Sequence, residues 1–294
     1  MSDSHSRTDK QVSPQTTLSV SARAIPTSDH GFDGISDKFA RNIYGTTKGT
    51  LRHTLLCYHL QRLGILPDLN YAQSSQPEHA KISSTRVLDA GCGLGQMSTE
   101  FAKSGFQVDA IDVSGESIEY AQQQAIQDKL EINYCVGQLQ DIDTQYDIII
   151  NHAVLEWLSD PFAAIDLLIE RLQPNGYLSL SFFNKDALTF GNLLYGNFDY
   201  VKKGLKVKKK VRLNPQQPLS VQPVLTYLKA HSQVEIIHEA GIRCIHDYMR
   251  NIEHQTEHYQ ALVAAEKEFS TQPPYKWLGK YFHVVLQKHT IEQL

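Results

Sequence analysis

Between residues 86 and 183, short apolar runs alternate with longer stretches of helical spacing. Val87–Leu88 runs into Asp89 and a glycine-rich turn. Tyr146–Asn151 carries Asp-Ile-Ile-Ile with no polar alternation, the mark of a strand covered on both faces. Gln107–Asp112, Glu131–Val136 and Tyr177–Phe183 read as further strands. The helical stretches between them are Met97–Ser104, a segment from Ser114 to about Ile126, and Asp160–Pro161 to Leu172. Ser114 suits an N-cap, with Glu116 and Glu119 in the turns that follow. Pro161 suits a first helical turn, and Gln173–Gly176 reads as the stop. Strands alternating with helices predict a parallel α/β sheet.

Later residues add a helix at Gln222–Ala230, a strand at Gly241–Tyr248, a helix over Glu253–Phe269 and a last strand at Lys280–Gln287. The expected sheet is therefore seven-stranded and mostly parallel, with helices on both faces and the last strand returning antiparallel at an edge. Residues 1–30 are polar, which predicts a disordered tail. Residues 31–290 read as one domain. It opens with a helical segment, 31–66, broken at Tyr44–Gly49, and residues 70–84 read as a polar surface loop. The alternation lapses over 184–220, where a long basic insertion is expected, functional or mobile.

In parallel sheets ligands bind beyond the C-terminal strand ends. Candidate residues gather there: Asp89 and Gly91, Asp112, Gly137 with Gln138, His152 and Asn184. Gly91, Gly93 and Gly95 let the main chain turn and a ligand approach it. An acid precedes these glycines, which suits a cationic ligand better than a diphosphate. S-adenosylmethionine (AdoMet), with its ammonium and sulfonium, is such a ligand. Asp112 ends the second strand, where a carboxylate can grip a ribose diol. A strand-to-helix turn of any α/β protein remains the plainer alternative.

Composition narrows the classes. Of 294 residues, 41% are apolar, enough for a core, and the net charge is −4. The four cysteines lack metal-like spacing and read as reduced thiols. The polar first thirty residues predict no signal peptide, and no apolar run is long enough to span a membrane. His254 and His258 share a helix face, but no third ligand is apparent, so no metal is expected.

The insertion carries seven basic residues between 202 and 212: Lys202, Lys203, Lys206, Lys208, Lys209, Lys210 and Arg212. Tyr195, Phe198 and Tyr200 lie beside them. Such a cluster suits a phosphate backbone, with aromatics free to stack on bases. A solvated loop that binds nothing is the alternative. For the acceptor of a methyl group, a carboxylate would need cations or hydrogen-bond donors but no general base. Arg41, Lys48, Tyr200, His246, Tyr248 and Arg250 are candidates. Tyr44 stands beside them in the helical break. His152 can meet cofactor or acceptor, or be structural.

VLDAGCGLG, AIDVS, NHAVLEWLSDP and LQPNGYLSLSFFN resemble the class I AdoMet-dependent methyltransferases, with their Rossmann-like fold. FDGISDKFARNIYGTTKGTLR, FFNKDAL, GNFDYVKKGLKVKKK and GIRCIHDYMR resemble the bacterial tRNA 5-carboxymethoxyuridine methyltransferase family. The resemblance covers about residues 32–288. It implies methyl esterification of the wobble carboxymethoxyuridine, with AdoMet as donor and S-adenosylhomocysteine as product. It places cofactor contacts on Arg52, Gly91, Cys92, Asp112, Gly137 and His152. Arg52 would face the methionine carboxylate and Asp112 the ribose. The expected partner is the tRNA anticodon arm in the cytoplasm, without membrane or protein partner. A small-molecule acceptor, a quinone or carboxylic acid, is the alternative.

Overall fold

The computed structural model describes residues 46–68, 82–206 and 217–290. Its strands are β1 (Arg86–Ala90), β2 (Gln107–Asp112), β3 (Ile132–Val136), β4 (Tyr146–His152), β5 (Leu172–Phe183), β6 (Val234–Ile242) and β7 (Tyr281–Lys288). They form one sheet in the order β3-β2-β1-β4-β5-β7-β6. β1 to β5 pair in parallel, and β7 is antiparallel to both neighbours. The order reverses between β1 and β4, which opens a crevice at their C-terminal ends.

Period-two alternation sorts the strand residues by face. Leu88, Ile149, Leu178 and Leu286 pack on helices α4 (Pro161–Glu170) and α7 (Val221–Ala230) through Ile165, Leu168, Val224 and Leu228. Val87, Ile148, Ile150 and Val285 meet the other layer, Leu60 of α1 (Thr47–Arg62) with Met97 and Phe101 of α2 (Gln96–Lys103). Each fully buried aliphatic side chain contributes on the order of 1.5–3 kcal/mol. α3 (Gly115–Gln127) starts on Ser114, whose hydroxyl accepts the Ser117 N–H at 3.2 Å. Asp160 caps α4 the same way through the Ala163 N–H.

The expected sheet is present, with differences in detail, the first being that residues 173–176, expected as the stop after α4, lie within β5. The strand placed at Gly241–Tyr248 lies instead at Val234–Ile242, and residues 246–248 form a 3-10 turn. Buried Glu266 enforces that turn by accepting the N–H groups of Cys244, Ile245 and His246 at 2.8, 3.0 and 2.8 Å. The last strand is not an edge, because β6 pairs outside it. The helix over Glu253–Phe269 is two, α8 (His254–Glu257) and α9 (Tyr259–Phe269), parted at His258. The insertion begins as helices α5 (Lys185–Leu194) and α6 (Phe198–Lys202), not as loop. Asn184 caps α5 by accepting from Asp186 and Ala187. The expected tail, the first half of the helical segment and residues 207–216 lie outside the described residues.

Candidate active site

The glycine turn between β1 and α2 is wound in the left-handed region, with φ of +82°, +54° and +77° at Gly91, Gly93 and Gly95. A Cβ at Gly91 would strike Val154, and one at Gly95 the Tyr134 hydroxyl. Asp112 anchors the turn. Its Oδ2 accepts the Gly93 N–H at 2.8 Å and its Oδ1 the Ser114 N–H at 2.9 Å. The Gly91 and Cys92 N–H groups both donate to the Ile111 carbonyl. One carboxylate thus joins the end of β2 to the glycine turn and to the start of α3.

After β3, the Gly137 N–H donates to the Asp112 carbonyl at 3.0 Å, and the Gln138 N–H to Asp141 Oδ2 at 2.8 Å. Gly137 and Gln138 therefore flank the same crevice as Asp112. Asp141, which the sequence analysis did not single out, holds their loop. An acid three residues after Gln138, at the start of a short turn, was the available signal.

Asp89 lies beneath the turn, 4% exposed. Its Oδ2 accepts from both the Ser98 N–H at 3.0 Å and the Ser98 hydroxyl at 2.6 Å. Burial pushes its carboxyl up to about 6 against the pull of those bonds, with Asp112 adding repulsion. That oxygen serves the first turn of α2 rather than a cationic ligand.

β4 brings the next group. Asn151 donates to the Ala90 carbonyl at 2.8 Å and locks β4 to β1. The Nε2 of His152 is hydrogen-bonded to Ser179 Oγ at 2.8 Å, and Ser179 in turn to Nε2 of His283 at 2.9 Å. Burial, then the nearby Arg52 and His53, pulls His152 down to about 3, so the ring is neutral at physiological pH. Its Nδ1 is buried without a hydrogen-bond partner. Three more histidines, His59, His238 and His283, pack in a chain of rings behind it, and burial holds each of them neutral.

Glu156 follows β4 in a 3-10 turn, 1% exposed. Burial pushes its carboxyl up to about 7, opposed by the main-chain N–H groups of Glu156 and Phe183 and by Arg52. Sequence reading missed it; an acid among the apolar residues of NHAVLEW was the signal. Arg52, on α1, lies over the Tyr281 ring at 5.2 Å and within electrostatic reach of His152 and Glu156. The structure thus brings Arg52, the glycine turn, Asp112, Gly137 and His152 to one end of the sheet.

Lys48 and Tyr248, together with Lys280, line a cavity of about 280 Å³, and Lys48 lies one turn before Arg52 on α1. His246 does not join them. It is fully buried, with its main-chain N–H on Glu266 and its Nδ1 3.4 Å from Asp247 Oδ2. A ring with no exposed surface cannot meet an acceptor, so that expectation is withdrawn. Arg250 is exposed, Tyr200 is half-buried on α6, and Lys202, Lys203 and Lys206 are exposed on and after α6. Arg41, Tyr44, Lys208, Lys209, Lys210 and Arg212 lie outside the described residues. Two trios, His53–Cys57–Glu100 and His254–Glu257–His258, each hold donor atoms within 4.8 Å of one another. Glu257 is the third group not apparent from the histidine spacing. Among the described residues no helix is long and apolar enough to cross a membrane.

A family described as a methyltransferase domain matches residues 81–264. The tRNA 5-carboxymethoxyuridine methyltransferase of Escherichia coli (strain K12) is 38% identical over 266 residues, 88% of this chain and 97% of that protein. The ubiquinone biosynthesis O-methyltransferase of Rickettsia conorii is 31% identical over 143 residues, 47% of this chain and 50% of that protein. Among solved structures, magnesium protoporphyrin IX methyltransferase from Synechocystis PCC 6803 with bound SAH superposes at a TM-score of 0.54 and 16% identity, over 88% of this chain and 96% of that one. That last likeness is one of fold.

Proposed function

The chain belongs to the tRNA 5-carboxymethoxyuridine methyltransferase family, and from that premise we propose that it methylates the carboxylate of a wobble 5-carboxymethoxyuridine in tRNA. The likeness to the E. coli relative, along 97% of that protein, carries the reading. The Rickettsia likeness spans half of its protein and supports no acceptor.

AdoMet, when bound, supplies a methyl group activated by its sulfonium. The crevice suits it: the main chain at Gly91 and Gly93 is partly exposed, and Asp112 stands at the end of β2. In this reading Arg52 holds the methionine carboxylate and Asp112 the ribose hydroxyls. Gly91, Cys92, Gly93, Gly137 and Gln138 present main chain to the nucleoside. Asp89 acts one step back, through Ser98 and the first turn of α2. Neutral His152 orients the ligand by hydrogen bonding rather than by charge.

A carboxylate of ordinary pKa, about 4, is already ionised at neutral pH, so no side chain has to remove a proton. The protein's task is alignment of nucleophile and donor, worth on the order of 7–11 kcal/mol. Lys202, Lys203, Lys206 and Arg250 offer charge to the phosphates of the anticodon arm, and Tyr200 a ring for stacking. Lys208, Lys209, Lys210 and Arg212 would extend that charge, and Arg41 and Tyr44 would join from the N-terminal side. Work on tRNA would place the protein in the cytoplasm. The test is transfer of labelled methyl to tRNA with and without the carboxymethoxy group. Labelling that depends on the group supports the reading; equal labelling of both overturns it.

A further inference from the structure

We propose that the cavity lined by Tyr248 seats the modified base, with its carboxylate held between Lys48 and Lys280. This rests on the function proposed above and names the groups that recognise its acceptor.

The cavity, about 280 Å³, is at the small end for ligand sites and suits one substituted base. Two lysines reach it from different elements, Lys48 from the first turn of α1 and Lys280 from the residue before β7. Neither forms an ion pair with any described residue. Asp247 is the sole acid among the lining residues, and its charge is already spent. Arg243 grips it with two bonds, Nε to Oδ2 and Nη2 to Oδ1, each 2.8 Å. Burial alone would raise this carboxyl, but His246 and Arg243 outweigh it and hold it well below the usual range. Among the described residues lining the cavity, no acid remains unpaired to balance the two lysines.

Burial also lowers the Lys280 ammonium, and Arg243 and Lys48 lower it further against the pull of Asp247. An anion between the lysines relieves that repulsion. Tyr248 is a wall rather than a donor, because its hydroxyl already donates to the Leu278 carbonyl at 2.8 Å. Leu188, Met249 and Ile252 supply apolar surface for the base.

The position is fixed by Asn184 at the end of β5. Its main-chain N–H donates to the Lys280 carbonyl at 3.1 Å, and its side-chain amide to the carbonyls of Trp277 and Gly279 at 3.0 and 2.9 Å. Lys48 lies one helical turn before Arg52, on the same face of α1. Arg52 in turn lies over Tyr281, the residue after Lys280. The acceptor cations thus adjoin the cation assigned to the methionine end of the cofactor. In the transfer a carboxylate oxygen bonds to the methyl carbon while the carbon–sulfur bond breaks, its electron pair going to sulfur. No proton moves. The ester formed is neutral, so the lysine pair holds product less tightly than substrate.

The experiment measures KM and kcat with carboxymethoxyuridine-bearing tRNA for wild type, Lys280→Met, Lys280→Arg and Lys48→Met. It also measures binding of 5-carboxymethoxyuridine nucleoside against uridine, and AdoMet affinity. Each Met variant should raise KM about 10- to 100-fold, the loss of a charge-assisted contact. Each should also lose preference for the acidic nucleoside, and AdoMet affinity should hold. Lys280→Arg should keep most of the wild-type behaviour. The seat is overturned if both Met variants keep wild-type KM and nucleoside preference, or if wild type binds the acidic nucleoside no better than uridine. Failure of wild type to methylate the tRNA while the lysine-dependent nucleoside preference persists refutes the function and leaves the anion seat standing.

Discussion

Replacing Glu156 by Gln should change how stability depends on pH, and the size of the change follows from the site. The carboxyl is 1% exposed, and burial moves its pKa from 4.5 to about 7. A raised carboxyl pKa means that between those values the folded protein keeps a proton that the unfolded chain has released. Stability from this group is therefore highest below pH 4.5, falls as pH rises and levels off above about 7. A displacement of that size corresponds to about 3 kcal/mol.

The histidines behind the site act in the opposite sense. His59, His152 and His238 are lowered to about 3, 3 and 4, so they favour the folded state as pH rises toward 6.5. The wild-type curve mixes both trends, and the difference between wild type and variant isolates Glu156. Gln keeps an oxygen for the N–H groups of Glu156 and Phe183 and cannot ionise. Urea unfolding from about pH 5 to about pH 8 should show the variant gaining on wild type by up to about 3 kcal/mol. A difference that stays constant across that range would mean that Glu156 ionises normally, and the reasoning from burial would fail.

Asp112→Ala removes the acceptor of the Gly93 and Ser114 N–H groups. AdoMet affinity by calorimetry should fall about 100-fold or more, at roughly 1.5–3 kcal/mol per lost charged bond; native affinity would contradict the assignment. Gly91→Ala forces a side chain into a φ of +82° and against Val154. It should cost about 2 kcal/mol in thermal or urea unfolding, and unchanged stability would show that the turn can relax. Replacing Lys202, Lys203 and Lys206 together by Ala should lower the slope of log affinity for tRNA against log salt by about 2 to 3, without altering AdoMet affinity. An unchanged slope would remove these lysines from the interface.

Among the first five strands, β4 was legible as an apolar run covered on both faces, and the others by the turn signals and helical stretches that separate them, although β3 at the sheet edge is only partly buried. Val234–Ile242 was not. Its pattern is interrupted by His238 and Glu239, and Glu239 finds its partner in Lys276, far along the chain, at 2.7 Å. Gly241 explains itself only in three dimensions, since a Cβ there would strike the Lys276 carbonyl. Within the site, Asp112 and the glycine turn could be read from local spacing. Asp89 was visible, but its hydrogen bonds to Ser98 were not. Lys280 looked like any lysine at the start of a strand; its bond to Asn184 and its place on the cavity wall beside Lys48 make it a candidate. His59, His152, His238 and His283 become neighbours only when the sheet and α1 assemble.

The most direct measurement is mass analysis of nucleosides from tRNA incubated with the protein and AdoMet. 5-Carboxymethoxyuridine at the wobble position should gain the mass of one CH₂ as a methyl ester that mild alkali removes. Recovery of 5-carboxymethoxyuridine unchanged, or methylation at an alkali-stable position, would contradict the proposed function.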